Sequence, residues 1–506
     1  MPNAPTETTA FAASTATSSH GRLIEVLDAL VRRAEGEAWG VRELASALGE
    51  SRSTVNRILV TLLDRDFAVE DGVGKYRAGP RLTVLMHALS QHSALLTTAR
   101  QHLDELARTT RQTALLSVYA PYLNGYYVLH CGQAPATLSF RPRRGHPFPL
   151  GFGDIGRAFE EHLRAHASLG DASPCQATLE PPRNISEAEF PPAVAMVVKQ
   201  VLPGLLVLLS LHDLEDTQAK AQGSARAALE AIADRLSQAP DVSDRIDRHE
   251  RCEGDSALVA RLEALLLLVC AGPDGCTCGS GLAAHLHCNA ATAKKLIGSA
   301  ASERLIHLDG KTLYPGARLY QWSALLGNEA YAPATLCKTI IDALVKETGE
   351  TIAYLSFDPS TSKAQFLEVV RGWRPIQYTL DTGVDVPLYA GGAGKAVLAY
   401  LPPAFAERLT LQKLTETTLT SHVQLQADLQ AIRARGWSVG DGERVLGAFG
   451  IGVPFFIDGQ VAGSISATIP QYRKEDCDVP VLVEHMKRAA ARIGRLLSLR
   501  TGQAMP

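Results

Sequence analysis

Arg52, Ser53, Thr54, Asn56 and Arg57 lie within six consecutive residues, interrupted only by Val55. An arginine can donate two hydrogen bonds to one guanine, and an asparagine can pair with one adenine. Hydroxyls and the amides at a helix start hold phosphate oxygens. The group therefore has the chemistry to read duplex DNA, provided that one exposed helix face presents it. Lys75 and Arg77, a short distance on, add two cations that can grip the phosphate backbone. On an isolated surface helix the same side chains would be an ordinary solvated face, so the surrounding elements decide.

Those elements follow from hydrophobic period. Leu23, Val26, Leu27, Leu30 and Val31 predict one amphipathic helix, and Val41, Leu44 and Leu48 a second. Gly49 ends the second, and Ser51 is placed to cap a third. Val55, Ile58, Leu59, Leu62 and Leu63 form the buried face of that third helix, opposite Ser53, Asn56 and Arg57. Residues 67–77 read as two strands around a glycine-containing turn. Three helices and a basic hairpin make a winged helix-turn-helix. Residues 21–82 hold ten basic and ten acidic side chains, so placement rather than net charge carries the argument. From residue 81 to about 110 one long helical pattern is expected to link two domains. Strands at 114–119 and 125–130 and an alanine-rich helix ending near residue 237 follow.

The plan then recurs. Ser51-Arg-Ser-Thr-Val-Asn-Arg-Ile-Leu59 reappears, worn, as Asn289-Ala-Ala-Thr-Ala-Lys-Lys-Leu-Ile297, and Gly79-x-Arg-Leu82 as Gly316-x-Arg-Leu319. Thr54 and Thr292, Pro149 and Pro387, Gly156 and Gly394, and Ala158 and Ala396 are each 238 residues apart, so one register spans two kinds of domain. Paired DNA-reading units suit a split DNA site. In the second copy Asn56 and Arg57 become Lys294 and Lys295, which keep charge but lose two-point geometry. Leu62 and Leu63 become Ala300 and Ala301, thinning the core. Helices are expected at 257–269, 282–286 and 290–301, with Asp309-Gly310 at a hairpin turn. A linker helix at 318–349, strands at 351–358, 364–372, 450–457 and 461–469, and a glycine cluster opening a helix within 387–401 indicate an α/β sensor domain.

The expected class is a multidomain α+β and α/β chain built by tandem duplication. Its divisions are a disordered tail at 1–20, a winged helix at 21–82, and a linker helix with a degenerate sensor at 83–240. A charged linker at 241–256, a degenerate winged helix at 257–319, and a linker helix with a second sensor at 320–500 complete it.

Bulk properties narrow the function. With 506 residues the chain exceeds one core. A net charge of −3 excludes a globally basic nucleic-acid coat, so any DNA contact is local. The apolar run at 194–211 is cut by Lys199, Gln200, Pro203 and Gly204, too short to span a bilayer. Residues 1–20 lack Lys and Arg and fit neither a secretory nor a transit peptide. Nine scattered cysteines point to a reducing cytoplasm rather than a disulfide framework. Cys276, Cys278, His285, His287 and Cys288 form the densest Cys/His group, but without a common zinc-finger spacing, so no metal is expected. Gly394-Lys395 lacks phosphate-loop spacing, no Gly-x-Ser-x-Gly or His-Glu-x-x-His occurs, and Glu443 reads as structural. Neither a cofactor nor catalysis is expected.

As a set, Ser51-x-Ser-Thr-Val-x-Arg57, Tyr76-x-x-Gly-x-Arg-Leu82, Gly392-Ala-Gly-Lys-Ala396, Ile432-Arg-x-x-Gly-Trp437, Asp441-Gly-Glu443, Gly447-x-x-x-Ile451 and Gly463-Ser-Ile-Ser466 resemble the IclR family of bacterial transcriptional regulators. A usual member has one winged helix and one GAF-like sensor, and this chain is similar to two such proteins joined head to tail. The resemblance implies a cytoplasmic regulator that binds promoter DNA and answers a small metabolite, often a carboxylate or aromatic acid. It also implies a homodimer, here of pseudo-dimeric chains. Carried over residue by residue, the implied effector contacts are Gly392 and Ala393 at a helix start, Gly450, Ser466 and Thr468 on the wall, Asp441 nearby, and Trp373 as an aromatic surface. The glycine cluster also fits a plain tight turn.

The first sensor copy has Gly151-Phe-Gly-Asp-Ile-Gly-Arg-Ala158 at that place, where Asp154 would repel an anion, and no counterpart of 436–443. The first half is therefore expected to read DNA and the second to sense, with the first sensor kept for pairing. Rival readings are a GAF-like ligand-binding protein or enzyme whose helical units serve only dimerisation, and a co-regulator that never meets DNA.

Overall fold

The computed structural model describes residues 18–33, 36–133, 140–166, 179, 186–213, 222–238, 258–272, 274–277, 281–327, 331–376 and 378–500. The expected linker at 241–256 and nearly all of the tail lie outside them. The chain forms two compact units, residues 1–330 and 331–506.

The first unit opens with α1 (Ser19–Arg32), β1 (Trp39–Gly40), α2 (Val41–Leu48), α3 (Arg52–Leu63), β2 (Ala68–Glu70) and β3 (Lys75–Ala78). We call this group the first head. Ser51 Oγ accepts from the Thr54 amide at 3.1 Å, a cap worth about 1 kcal/mol. Gly49 leaves α2 at φ +65°, which glycine adopts without a Cβ penalty. Leu27, Leu44, Val55, Leu59, Leu62 and Phe67 close the core; each contributes about 1.5–3 kcal/mol by leaving water. The sheet order β1-β3-β2 adds one strand to the expected hairpin. At two residues, β1 is too short to show a period.

The single linker helix expected from residue 81 to 110 is broken. α4 (Pro80–His92) and α5 (Ala94–Thr110) meet at Ser93, which is extended and whose hydroxyl accepts from the Leu96 amide at 3.2 Å. Both helices bury leucines in nearly continuous period, which hid the break. β4 (Thr113–Ala120), β5 (Gly125–Gly132), β6 (Pro147–Pro149), α6 (Gly153–Ala165), β7 (Ala193–Leu202), β8 (Leu205–His212) and α7 (Gln222–Leu236) follow. They build an antiparallel sheet of order β6-β5-β4-β8-β7. α5 and α7 pack on each other and on this sheet, and α6 packs on β7 and β8.

The unit closes with α8 (Leu258–Cys270), β9 (Cys276–Thr277), α9 (Leu282–His285), α10 (Ala290–Ser302), β10 (Ile306–Asp309), β11 (Thr312–Pro315) and α11 (Ala317–Leu326). This second head repeats the element order of the first, with sheet order β10-β11-β9. Asn289 Oδ1 accepts from the Thr292 amide at 2.8 Å, the cap that Ser51 supplies to α3. The two heads pack together: α4 lies against α8 and α11, and α1 against α8, α10 and α11.

The second unit comprises α12 (Pro333–Thr348), β12 (Thr351–Asp358), β13 (Lys363–Val370), α13 (Gly392–Leu398), α14 (Pro403–Glu407), α15 (His422–Arg435), β14 (Ser438–Asp441), β15 (Ala448–Ile457), β16 (Gln460–Pro470) and α16 (Val479–Leu497). Its antiparallel sheet runs β13-β12-β16-β15-β14. α12 and α16 pack on each other, and α13 packs on β14, β15 and β16. The continuous helix expected over 318–349 is instead α11 and a separate α12 started by Pro333. Among the described residues no helix is long and apolar enough to cross a membrane.

Candidate nucleic-acid face and ligand cavity

On α3, Val55, Ile58, Leu59 and Leu62 are buried, while Arg52, Ser53, Asn56 and Arg57 are exposed. Among the described residues Arg52, Asn56 and Arg57 enter no hydrogen bond or ion pair, so their donors face solvent. Thr54 is half-buried, with its hydroxyl 2.9 Å from Ser51 Oγ. Lys75 and Arg77 are exposed on β3, Arg77 lying 3.4 Å from the Asp71 carboxylate. Lys294 and Lys295 are exposed on α10, where Ala290 and Ala291 occupy the places of Arg52 and Ser53.

Buried ion pairs join the heads. Arg81 Nε donates to Glu263 Oε1 at 2.7 Å, and Arg65 Nη1 to Glu263 Oε2 at 2.9 Å. In the opposite sense Arg318 Nη1 lies 3.2 Å from Asp28 Oδ2, and Trp322 Nε1 donates to Asp28 Oδ1 at 2.8 Å. Arg81 and Arg318 hold the same place in Gly-x-Arg-Leu, so the contact is close to reciprocal, as in a two-fold interface. Removing one partner from such buried pairs leaves an uncompensated charge.

The sheet of the first unit is tied to α11. Tyr122 OH donates to Gln321 Oε1 at 2.8 Å, Gln321 Nε2 to the Gly145 carbonyl at 2.8 Å, and Tyr127 OH to the Ala317 carbonyl. Its face towards α6 is filled by rings. Phe148 stacks on Tyr126 and on Phe152, each at 5.4 Å, and meets Phe190 edge-on at 5.3 Å. Asp154 accepts from the Ala193 amide at 3.0 Å and from Arg157 at 2.9 Å. Burial works against its charge, but these two donors hold its carboxyl below the usual range.

The second sheet encloses a cavity at the start of α13. Gly391 turns at φ +81°, and a Cβ on Gly392 would stand 2.6 Å from the Gly450 carbonyl oxygen. This close backbone approach is the reason for glycine there. Lys395, wholly buried, donates to Asp428 at 2.7 Å and to Glu443 at 2.6 Å, and Glu443 accepts from the Gly391 amide at 2.9 Å. Glu443 is thus structural, fixing the turn from below. Gly392, Ala393, Gly450, Ser466 and Thr468 line the cavity. Ser466 is 3% exposed, and among the described residues its hydroxyl has no hydrogen-bond partner.

Two expected contacts do not line it. The Asp441 carboxylate turns to Gln471 Nε2 and Lys474 Nζ, both at 2.7 Å. Trp373 is 65% exposed and lies over Gly349 instead. Sequence reasoning missed Phe366, Tyr378, Leu380, Val386, Ala390 and Arg444, which also line it. The Arg444 guanidinium sits 5.3 Å over the Phe366 ring, and burial pulls its pKa below the ordinary value. Among the described residues no carboxylate pairs with it. Of the Cys/His group, Cys278 lies outside the described residues, and among those described no three metal-donating side chains cluster.

Two family models match. The IclR helix-turn-helix domain covers residues 20–72, and the C-terminal domain of bacterial transcriptional regulator IclR covers residues 334–495. They fall on the head with the exposed reading residues and on the unit with the cavity. The HTH-type transcriptional regulator BhcR of Paracoccus denitrificans is 31% identical over 165 residues, 31% of this chain and 57% of that protein. The transcriptional repressor IclR of Escherichia coli is 35% identical over 112 residues, 21% of this chain and 41% of that protein. The solved structure of Thermotoga maritima IclR covers 47% of this chain and 97% of its own, at 21% identity and a TM-score of 0.31. The chain spans about half the length of the curated relatives it matches. Residues 20–72 and 334–495 thus match, respectively, the helix-turn-helix and C-terminal domains of the IclR family.

Proposed function

We propose that the chain is a ligand-responsive, cytoplasmic transcription factor in which the first head reads duplex DNA and the cavity of the second unit takes a small organic anion. The observation that carries the DNA reading is the exposed, unpaired Arg52, Asn56 and Arg57 on a helix whose opposite face is buried. Thr54 and the α3 amides add phosphate contacts, and Lys75 and Arg77 supply the wing. The shared element order of the heads and the 238-residue register support a tandem duplication of a winged helix and a GAF-like sensor, with boundaries as expected from the sequence. A homodimer of such chains would carry four heads.

The cavity chemistry suits a carboxylate with an aliphatic or aromatic body. Arg444 offers a counter-charge, Ser466 and Thr468 offer hydroxyls, and Phe366, Leu380 and Val386 offer apolar wall. Occupancy that favours one arrangement of the chain over another would change operator affinity by the same coupling energy.

Replacing Arg57 with alanine tests the DNA reading. Loss of one two-point base contact costs about 1–3 kcal/mol, or roughly 5- to 150-fold in affinity. The expected result is that loss in a gel-shift titration on the protein's own promoter region, with an unchanged circular dichroism spectrum. Unaltered affinity would overturn the assignment.

A further inference from the structure

The two heads are held in one unit by nearly reciprocal ion pairs, yet of the five candidate reading positions on α3 only Thr54 keeps its residue type on α10, as Thr292. Arg52, Ser53, Asn56 and Arg57 on α3 correspond to Ala290, Ala291, Lys294 and Lys295 on α10. All eight are exposed, and each helix carries the same side-chain cap at its start. The second head has therefore kept its helix, its capping geometry and two cations. It has lost the guanidiniums, the amide and the hydroxyl that distinguish one base from another. An ammonium is a point charge that neutralises phosphate irrespective of sequence. The placement of the second head is also constrained: α1 packs on α8, α10 and α11, and the β7–β8 turn at Gly204 abuts His307 on β10.

We infer that a single chain engages a lopsided duplex site, one half read base by base by the first head and the other gripped without base preference through Lys294 and Lys295. This rests on the DNA-binding reading above and adds the kind of DNA that the chain selects. A usual two-fold pair of identical heads demands an inverted repeat with half-sites about 10 base pairs apart. Here the pairing of the heads persists while the second half of the code is blank. The second head contributes affinity, register and salt sensitivity, and no specificity.

The test is selection of bound duplexes from a pool with a randomised core, using the full chain, with the number of chains per duplex measured by sedimentation. The expected result is one sequence-constrained block per bound chain. Two constrained blocks per chain, or constraint on the side of the second head, overturn the inference. The paired substitution Lys294→Gln and Lys295→Gln lowers affinity by the same factor on selected and unselected duplexes and reduces the logarithmic salt slope by roughly 2, from about 0.9 per phosphate contact. A salt slope identical to that of the unmodified chain overturns the grip. Conversely, Ala290→Arg, Ala291→Ser, Lys294→Asn and Lys295→Arg together create a second constrained block, an inverted copy of the first. All four positions are exposed, so folding is preserved. Failure of every duplex to bind at any salt concentration sinks the DNA reading itself, a different outcome from symmetric selection.

Discussion

The sheets β5-β4-β8-β7 and β13-β12-β16-β15 share a strand order, but one faces a stack of aromatic rings and the other a cavity. Two positions account for much of the contrast. Phe148 and Phe152 stand 238 residues before Val386 and Ala390, both of which line the cavity. The first unit thus carries two rings at positions where the second carries a valine and an alanine. Among the described residues the first sheet has no counterpart of β14, and it carries β6 on the opposite edge. What it retains is the surface that grips α11, through Tyr122, Tyr127 and Gly145. A sheet whose covered face is filled by rings can brace a neighbouring helix, because the covering of a sheet and the filling of the space beneath it are separable requirements. The heads contrast in their exposed side chains, with Arg52, Asn56 and Arg57 on α3 against Ala290, Lys294 and Lys295 on α10.

The largest effect should come from removing the plug. Phe148 is wholly buried against three rings, so Phe148→Ala should destabilise the first unit by about 3–5 kcal/mol without creating affinity for small acids. A urea melt and a calorimetric titration with benzoate check both halves. A mild loss of stability accompanied by benzoate binding would show that the first sheet is a closed receptor rather than a brace. The reciprocal change, Ala390→Phe, places a ring where the cavity lies. It should abolish binding of any carboxylate that the unmodified chain takes, at a stability cost of about 1–3 kcal/mol from overpacking. Retained binding would mean that the ligand sits elsewhere. Next in size is Arg444→Gln, which keeps a polar chain but removes the charge. A charge-assisted hydrogen bond is worth about 1.5–3 kcal/mol, so affinity for a carboxylate should fall roughly 10- to 150-fold while a matched amide is unaffected. Equal losses for acid and amide would contradict the counter-charge role.

Local features were legible and long-range ones were not. The exposed face of α3 followed from period and a serine cap, both properties of about twelve neighbouring residues. The break at Ser93 was hidden because its capping replaces one helical turn without disturbing the leucine pattern on either side. Arg444 escaped notice because it lies between Asp441-Gly-Glu443 and Gly447, a motif that drew attention to Asp441. Only the fold shows that Gln471 and Lys474 take the Asp441 carboxylate away, since both come from a turn thirty residues on. The aromatic plug did leave a trace: five of the thirteen phenylalanines fall between residues 140 and 190. Composition marked that crowding, but the choice between a core and an aromatic pocket needed the ring geometry.

The smallest effect concerns the junction of the heads, where near-symmetry fails at one charge. Glu25 and Glu263 are 238 residues apart, as are Arg65 and Glu303. Glu263 is paired with both Arg65 and Arg81. Glu25 instead meets Glu303 in place of an arginine. Burial first, then Glu303, push its carboxyl from 4.5 up to about 7; Arg318 opposes this, and Glu50 and Asp28 reinforce it. The folded unit thus binds this proton more tightly than the unfolded chain does. The stabilisation is fully present below about 4.5 and is lost as pH rises towards 7, because the folded state holds more protons throughout that window. Glu25→Gln makes the group permanently neutral, so it should flatten this part of the pH profile and raise the melting temperature at pH 8 by about 1–3 °C. Glu303→Arg, which gives the second junction the charge pattern of the first, should act in the same direction and draw the Glu25 carboxyl back towards its ordinary value. If thermal melts of the unmodified chain and Glu25→Gln run parallel between about pH 5 and 8, the two junctions are energetically alike despite the charge reversal.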